Sequence, residues 1–318
     1  MDSGPRMNSG AVTLDELPGG LDLYRTLESG QSYLWRRTDG GTYGDSPPAE
    51  GWYYTVLDPS DRGVPWAMFD APAPVLVRQR QGHLEWRSPV DAAPAVSHLL
   101  RLEDDLDAIA GEAPNDSLIQ EAYDVHRGMR LVADPPFGTL ISFICSAQMR
   151  VPRIHDMVST LARAYGTPIE FDGASYHAFP TPDQLATATE RELRDLGLGY
   201  RAPYVVRTAE MVVEGVAHPN TARSLEYETA RDYLTQFVGV GDKVADCVLL
   251  FSLGFDEAVP LDTWIQSAIE EYYPACDRGN YAETSRAIRT RLGGRYAGYT
   301  QTYLFHHLRT GANSTNED

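Results

Sequence analysis

The hydrophobic period of this 318-residue chain changes once, near Asp91, and that change limits the folds open to it. Before it, apolar residues come in short alternating runs at 31–35 (Gln-Ser-Tyr-Leu-Trp), 52–57 (Trp-Tyr-Tyr-Thr-Val-Leu), 75–79 and 84–86. Asp-Gly, Gly-Gly and Pro-Ser pairs separate these runs. Turn formers between alternating segments predict an antiparallel sheet with one face wet. Beyond Asp91 the period is helical. Leu99, Leu102, Leu106 and Ile109 share one helix face, and Leu118, Ala122, Val125 and Met129 another. Pro135 and Pro136 break the pattern before an apolar helix over 140–147, and Pro152 suits the first turn of a helix over 153–165. Further helices are expected at 182–196, 202–215, 227–237, 242–253, 262–272, 282–292 and 297–309. The fold class is therefore α+β. It comprises a disordered tail (1–12), an antiparallel sheet domain (13–115), a helical domain of two lobes (116–310) and a polar tail (311–318).

Composition narrows the setting. No run approaches the roughly 18 apolar residues of a membrane span, and no basic segment with an apolar core opens the chain. Three scattered cysteines, Cys145, Cys247 and Cys276, supply neither a disulfide framework nor a four-cysteine metal site. A reducing cytoplasm is expected, with no membrane partner. The formal charge of −18 would ordinarily speak against nucleic acid. Yet an acidic surface carrying arginine in place of lysine looks like adaptation to a salt-rich, halophile-like cytoplasm. There the Debye length falls to roughly 3 Å or less, and DNA could be held by short-range contacts. Charge leaves a nucleic-acid partner open.

Only one of the 27 basic residues is lysine, Lys243. An amine can lose its proton and attack carbon, whereas a guanidinium effectively cannot. Lys243 lies in Phe-Val-Gly-Val-Gly-Asp-Lys-Val-Ala-Asp-Cys (237–247), and Asp262 follows in Ala-Val-Pro-Leu-Asp-Thr-Trp (258–264). The first stretch reads as a glycine turn between two helices. Glycines let backbone approach a phosphate, and the next helix presents its unpaired N–H groups and positive end. Lys243 falls in the first turn of that helix, where the dipole opposes an ammonium. A carboxylate at Asp262 would stabilise oxocarbenium charge at a deoxyribose C1′ while the amine displaces the base. The plainer alternative is a helix-capping loop, an Asp N-cap and a solvated lysine.

Taken together, 237–247 and 258–262 resemble the helix-hairpin-helix and Gly/Pro/Asp signature of 8-oxoguanine DNA glycosylase/lyases. The likeness covers about residues 20–310. It includes Ser-Gly-Gln-Ser-Tyr-Leu-Trp (29–35), Ile-Ser-Phe-Ile-Cys-Ser-Ala (141–147), Tyr-His-Ala-Phe-Pro (176–180), Leu-Gly-Leu-Gly-Tyr-Arg-Ala (196–202) and Tyr-Ala-Gly-Tyr-Thr-Gln-Thr-Tyr-Leu-Phe (296–305). The resemblance implies that Lys243 is the nucleophile and Schiff-base former and Asp262 its essential carboxylate. Cys247 and Phe305 would cover the two faces of an extruded base. Gln301 would read its Watson–Crick edge, and the carbonyl of Gly30 would accept from the N7–H that ordinary guanine lacks. Arg153 and Arg201 would contact the orphaned cytosine, Tyr200 would be the inserted wedge, and Gln148 would fill the vacated space. Gly239 and Gly241 would meet the DNA backbone. The backbone carbonyls of Thr235, Phe237 and Val240 would hold a structural monovalent or divalent cation, with no cofactor required.

The chain departs from the family pattern at three places. Gln148 stands for an asparagine, which weakens the expected preference for cytosine. Trp264 stands for a histidine, which puts that phosphate contact in doubt, and Val238 replaces a proline. An iron–sulfur branch is excluded, because Cys276 has no neighbouring cysteines. The leading expectation is a monomeric, cytoplasmic, nucleoid-associated bifunctional glycosylase/AP lyase acting on double-stranded DNA containing 8-oxoguanine. The alternatives are a monofunctional alkylated-base glycosylase and a non-catalytic DNA-binding clamp.

Overall fold

The computed structural model describes residues 7–44 and 51–314. Five antiparallel strands form one sheet in the order β1-β5-β4-β3-β2: β1 (Asn8–Thr13), β2 (Arg36–Arg37), β3 (Tyr53–Leu57), β4 (Ala73–Arg80) and β5 (His83–Ser88). The register pairs Tyr53 with Val77 and Val77 with Trp86. Tyr53, Leu57, Val75, Val77, Leu84 and Trp86 thus form one buried face in the main core. The opposite face is not simply wet. Val56 and Leu76 on it are covered by a hairpin of β6 (Pro168–Phe171) and β7 (Ala174–His177), through Phe171, Tyr176 and Ala178. Asp172 and Gly173, both at positive φ, make the two-residue turn of that hairpin.

The helices are α1 (Leu23–Glu28), α2 (Ala93–Leu99), α3 (Leu106–Gly111), α4 (Ser117–Val125), α5 (Pro136–Ser146), α6 (Val151–Tyr165) and α7 (Pro182–Ala186). There follow α8 (Glu190–Asp195), α9 (Ala202–Val213), α10 (Tyr227–Leu234), α11 (Asp242–Val248), α12 (Thr263–Tyr272), α13 (Tyr281–Arg291) and α14 (Ala297–Ser314). All eleven residues of α5 are buried, so this helix is the spine on which α6, α9 and α11 pack.

Several expectations are corrected. Residues 8–12, expected to be disordered, belong to edge strand β1. Gly10 is the cause: a Cβ there would lie 2.6 Å from Trp86 Nε1, so the small residues that suggest a loose tail let the strand lie over an indole. At the other end, α14 continues to Ser314 through the expected start of the polar tail; residues 1–6 and 315–318 lie outside the described ones.

The run 31–35 is not a strand. It is a buried connection whose backbone partners are replaced by side chains. Gln31 donates from Nε2 to the Thr26 and Arg130 carbonyls at 3.0 and 2.8 Å, and accepts the Val132 N–H at 3.0 Å. The single face through Leu99–Ile109 is split between α2 and α3 because Asp105 caps a new helix, accepting the Ala108 N–H at 2.9 Å. In α4 the buried positions are Ile119 and Ala122, and Val125 is exposed. The segment 182–196 is two helices, each opened by its own capping box, Thr181 with Gln184 and Thr189 with Glu192. Residues 242–253 turn from α-helix to a π-helix at Leu249–Leu253, closed by Gly254 in the left-handed region.

Candidate active site

The turn between α10 and α11 needs glycine for two separate reasons. Gly239 has φ +84°, and a Cβ on it would lie 2.5 Å from the Tyr204 ring of α9. Gly241 is the N-cap of α11, without a side-chain cap, and nothing lies within 4 Å of where its Cβ would be. The first N–H groups of α11 thus start at an open position with no N-cap side chain to accept from them. Within the turn, the Phe237 carbonyl accepts the Val240 N–H at 3.1 Å, leaving it one lone pair. Thr235 C-caps α10.

Lys243 projects from the first turn of α11, half-buried. Its Nζ lies 3.5 Å from Ser146 Oγ and 5.3 Å from the centre of the Phe143 ring, both on α5. One turn on, Cys247 is buried, and burial pushes its thiol up to about 12 although Lys243 pulls it down. Asp262 N-caps α12, accepting the Ile265 N–H at 2.8 Å. Burial raises its carboxyl above the ordinary range, opposed by that N–H, by the Lys243 ammonium, by Trp264 N–H and by Arg309. Lys243 and Asp262 are thus near enough for their charges to couple.

The opposite wall comes from the 29–35 connection and α14. Gly30 has φ +102°, and a Cβ there would stand 3.4 Å from Phe305 Cε1 and 3.5 Å from Arg309 Nη1. Gln301, one turn before Phe305, is buried, and its Oε1 accepts the Thr302 hydroxyl at 3.4 Å. Tyr33 lies between the walls. Its hydroxyl pKa is raised, first by burial and then by Cys247 and Asp262, while Arg309 pulls it down; its ring meets Phe143 edge-on at 5.7 Å.

A third group gathers where α5 ends. The Ala147 carbonyl accepts from Arg201 Nη2 and lies 3.5 Å from the Tyr200 hydroxyl. Arg201 is buried with Nε unpaired among the described residues, and its guanidinium lies 4.4 Å from the Tyr200 ring centre. Tyr200 is 51% exposed. Gln148 is exposed in the left-handed region, φ +55°. Arg153 is exposed too, its Nη2 3.2 Å from where a Gly197 Cβ would be. Tyr204, packed on Gly239, also meets Tyr200 edge-on at 6.2 Å, so the glycine turn and this group share a support.

Sequence reasoning missed Phe143, Ser146, Tyr33, Tyr204 and Arg309, and also Asp246. The fully buried Asp246 carboxyl accepts from the Tyr227 and Tyr281 hydroxyls, each at 2.7 Å, and the Leu261 N–H donates to Tyr281 at 3.2 Å. That chain ties the helix bearing Lys243 to the segment ending at Asp262. A carboxylate between Ala245 and Cys247 on a buried helix face was the available signal.

Residues 141–293 match the model of the HhH-GPD superfamily base excision DNA repair proteins. A probable N-glycosylase/DNA lyase of Methanothermobacter thermautotrophicus is 30% identical over 319 residues, covering 92% of this chain and 94% of that protein. The N-glycosylase/DNA lyase of Saccharomyces cerevisiae is 35% identical over 212 residues, 56% of each chain. The Clostridium acetobutylicum 8-oxoguanine glycosylase/lyase, solved with double-stranded DNA carrying cytosine opposite the lesion, superposes with a TM-score of 0.76 at 27% identity. That match covers 92% of this chain and 93% of that one.

Proposed function

This chain belongs to the HhH-GPD superfamily of base excision DNA repair proteins, and on that premise we propose that it excises 8-oxoguanine and nicks the strand through Lys243. The observation that carries the reading is the meeting of the chain's one lysine with a half-buried, charge-coupled Asp262 across from the Gly30–Phe305 wall.

The chemistry follows from these groups. Lys243 Nζ, as the free amine, attacks C1′ of the damaged nucleotide, and the C1′–N9 bond breaks with its electron pair leaving on the base. Ionised Asp262 offsets the positive charge that grows on the sugar ring in this step, an effect strengthened where water is excluded. The amine then loses a proton, and O4′ takes one up as the ring C1′–O4′ bond opens, giving a protonated Schiff base between Nζ and C1′. Loss of a C2′ proton expels the 3′ phosphate by β-elimination, and water releases the sugar fragment from the lysine.

The remaining residues support this reading by placement. Gly30 and Gln301 address the two edges of the base, and Cys247 and Phe305 its faces. Gln148, Arg153, Tyr200 and Arg201 form a group suited to the opposite strand. Gly239 and Gly241 suit a phosphate, and the carbonyls of Thr235, Phe237 and Val240 suit a structural cation. We also assign the protein as a monomer of a salt-rich cytoplasm that associates with the nucleoid when bound to DNA.

The test is a lesion panel. Duplexes carrying 8-oxoguanine, 3-methyladenine or no lesion are incubated with the enzyme, and base release and strand cleavage are scored separately. Release and cleavage confined to 8-oxoguanine is the expected outcome; release of 3-methyladenine without cleavage would instead establish an alkylated-base glycosylase.

A further inference from the structure

We propose that Arg309 is a specificity residue whose Nη1 donates to the C8 oxygen of the extruded base. The inference rests on the 8-oxoguanine reading above and adds a contact to it. The guanidinium is already held at the wall that would receive the base. Its Nη2 donates to the Glu28 carbonyl at 3.2 Å and lies 3.4 Å from His306 Nδ1, and its carbon lies 5.4 Å from the centre of the Phe305 ring. Nη1 makes no hydrogen bond to a described residue, and it stands 3.5 Å from the position a Gly30 Cβ would occupy. The charge reaches across the pocket, since it acts on both Asp262 and Tyr33.

The chemistry of the lesion makes this position selective. N7 and C8 are neighbours in the purine ring. Oxidation converts N7 from an acceptor to a donor and places an oxygen on C8 where guanine has hydrogen. A carbonyl at Gly30 that meets the N7–H sets the adjacent C8 oxygen on the same wall as Arg309, whose Nη1 is a donor beside Gly30. Acceptor and donor then stand side by side against a donor and acceptor that ordinary guanine lacks. The contact also acts during the reaction. When the C1′–N9 bond breaks, the electron pair spreads over the five-membered ring onto the C8 oxygen, and a charged donor there holds the departing anion.

The test compares 8-oxoguanine with 8-thioguanine, which keeps the N7–H but presents a weakly accepting sulfur at C8. Single-turnover excision is measured for the wild type, R309M and R309K, with thermal melting to show that each is folded. A hydrogen bond to a charged group predicts that R309M slows 8-oxoguanine release by roughly 10- to 100-fold. Release of 8-thioguanine should change far less, and R309K should recover part of the loss. Equal slowing of both substrates would overturn the proposal and reduce Arg309 to a brace for the Glu28–Gly30 backbone, as would no slowing of either. If the wild type releases no 8-oxoguanine, the functional assignment itself falls, an outcome separate from any behaviour of Arg309.

Discussion

Asp262 shows, within one residue, function set against stability. Its carboxyl is raised by burial, so the folded state binds its proton more tightly than the unfolded chain does. Stability from such a group is present while it is protonated and falls as pH rises from the unfolded carboxylate range through the folded pKa. The proposed reaction needs the opposite, ionised form. D262N keeps the cap on Ile265, because asparagine caps as well as aspartate, and removes the buried charge. It should melt higher than the wild type at pH 7.5 while losing on the order of 10²- to 10⁴-fold in single-turnover excision. The wild-type rate should have an acidic limb lying above the ordinary carboxylate range and absent from the variant's residual rate. Lys243 and Asp262 stand out in the sequence by residue type and spacing, and Cys247 only through the family resemblance. Tyr33, Phe143, Asp246 and Arg309 do not stand out, because each matters through a partner distant in the chain: Phe143 touches Lys243 across 100 positions.

Among elements, the glycine turn between α10 and α11 is the most exacting. Gly239 needs both a positive φ and the absence of a Cβ against Tyr204. G239A should therefore lower stability by about 1 kcal/mol or more. It should weaken binding to any duplex, damaged or not, measured by fluorescence anisotropy, because in the proposed function the turn would meet the DNA backbone and not the bases. The turn and its two helices could be read from Gly-Val-Gly between helical periods. The helix boundaries nearby could not. The Thr-x-x-Gln and Thr-x-x-Glu boxes that split 182–196 lay within one continuous helical pattern, and capping overrode periodicity. The Asp-Gly turn of the β6–β7 hairpin was present but flanked by only four-residue strands, too short for alternation to stand out. Thr189→Ala removes the second box and should cost about 1 kcal/mol in urea unfolding without altering excision.

Across the whole molecule, one buried arginine joins the two regions of the chain. The Arg130 guanidinium donates to the carbonyls of Pro18, Gly20, Arg101 and Asp104 at 2.7–3.1 Å, and its own carbonyl accepts from Gln31. R130M would strand several buried acceptors and should destabilise the protein by at least about 3 kcal/mol, read as a fall in melting temperature. The division into sheet and helices was visible in the change of period near Asp91. The way the pieces join was not, because 31–35 reads as a strand and behaves as a buried strap. In the proposed mechanism the one lysine becomes covalently joined to DNA at the damaged sugar. Borohydride trapping would capture that bond, on a duplex with 8-oxoguanine opposite cytosine at low and multimolar salt, with Lys243→Gln alongside. The expected result is an adduct that requires both the lesion and Lys243; an adduct that persists in Lys243→Gln, or base release with none at any salt, would rule the lysine out as the nucleophile.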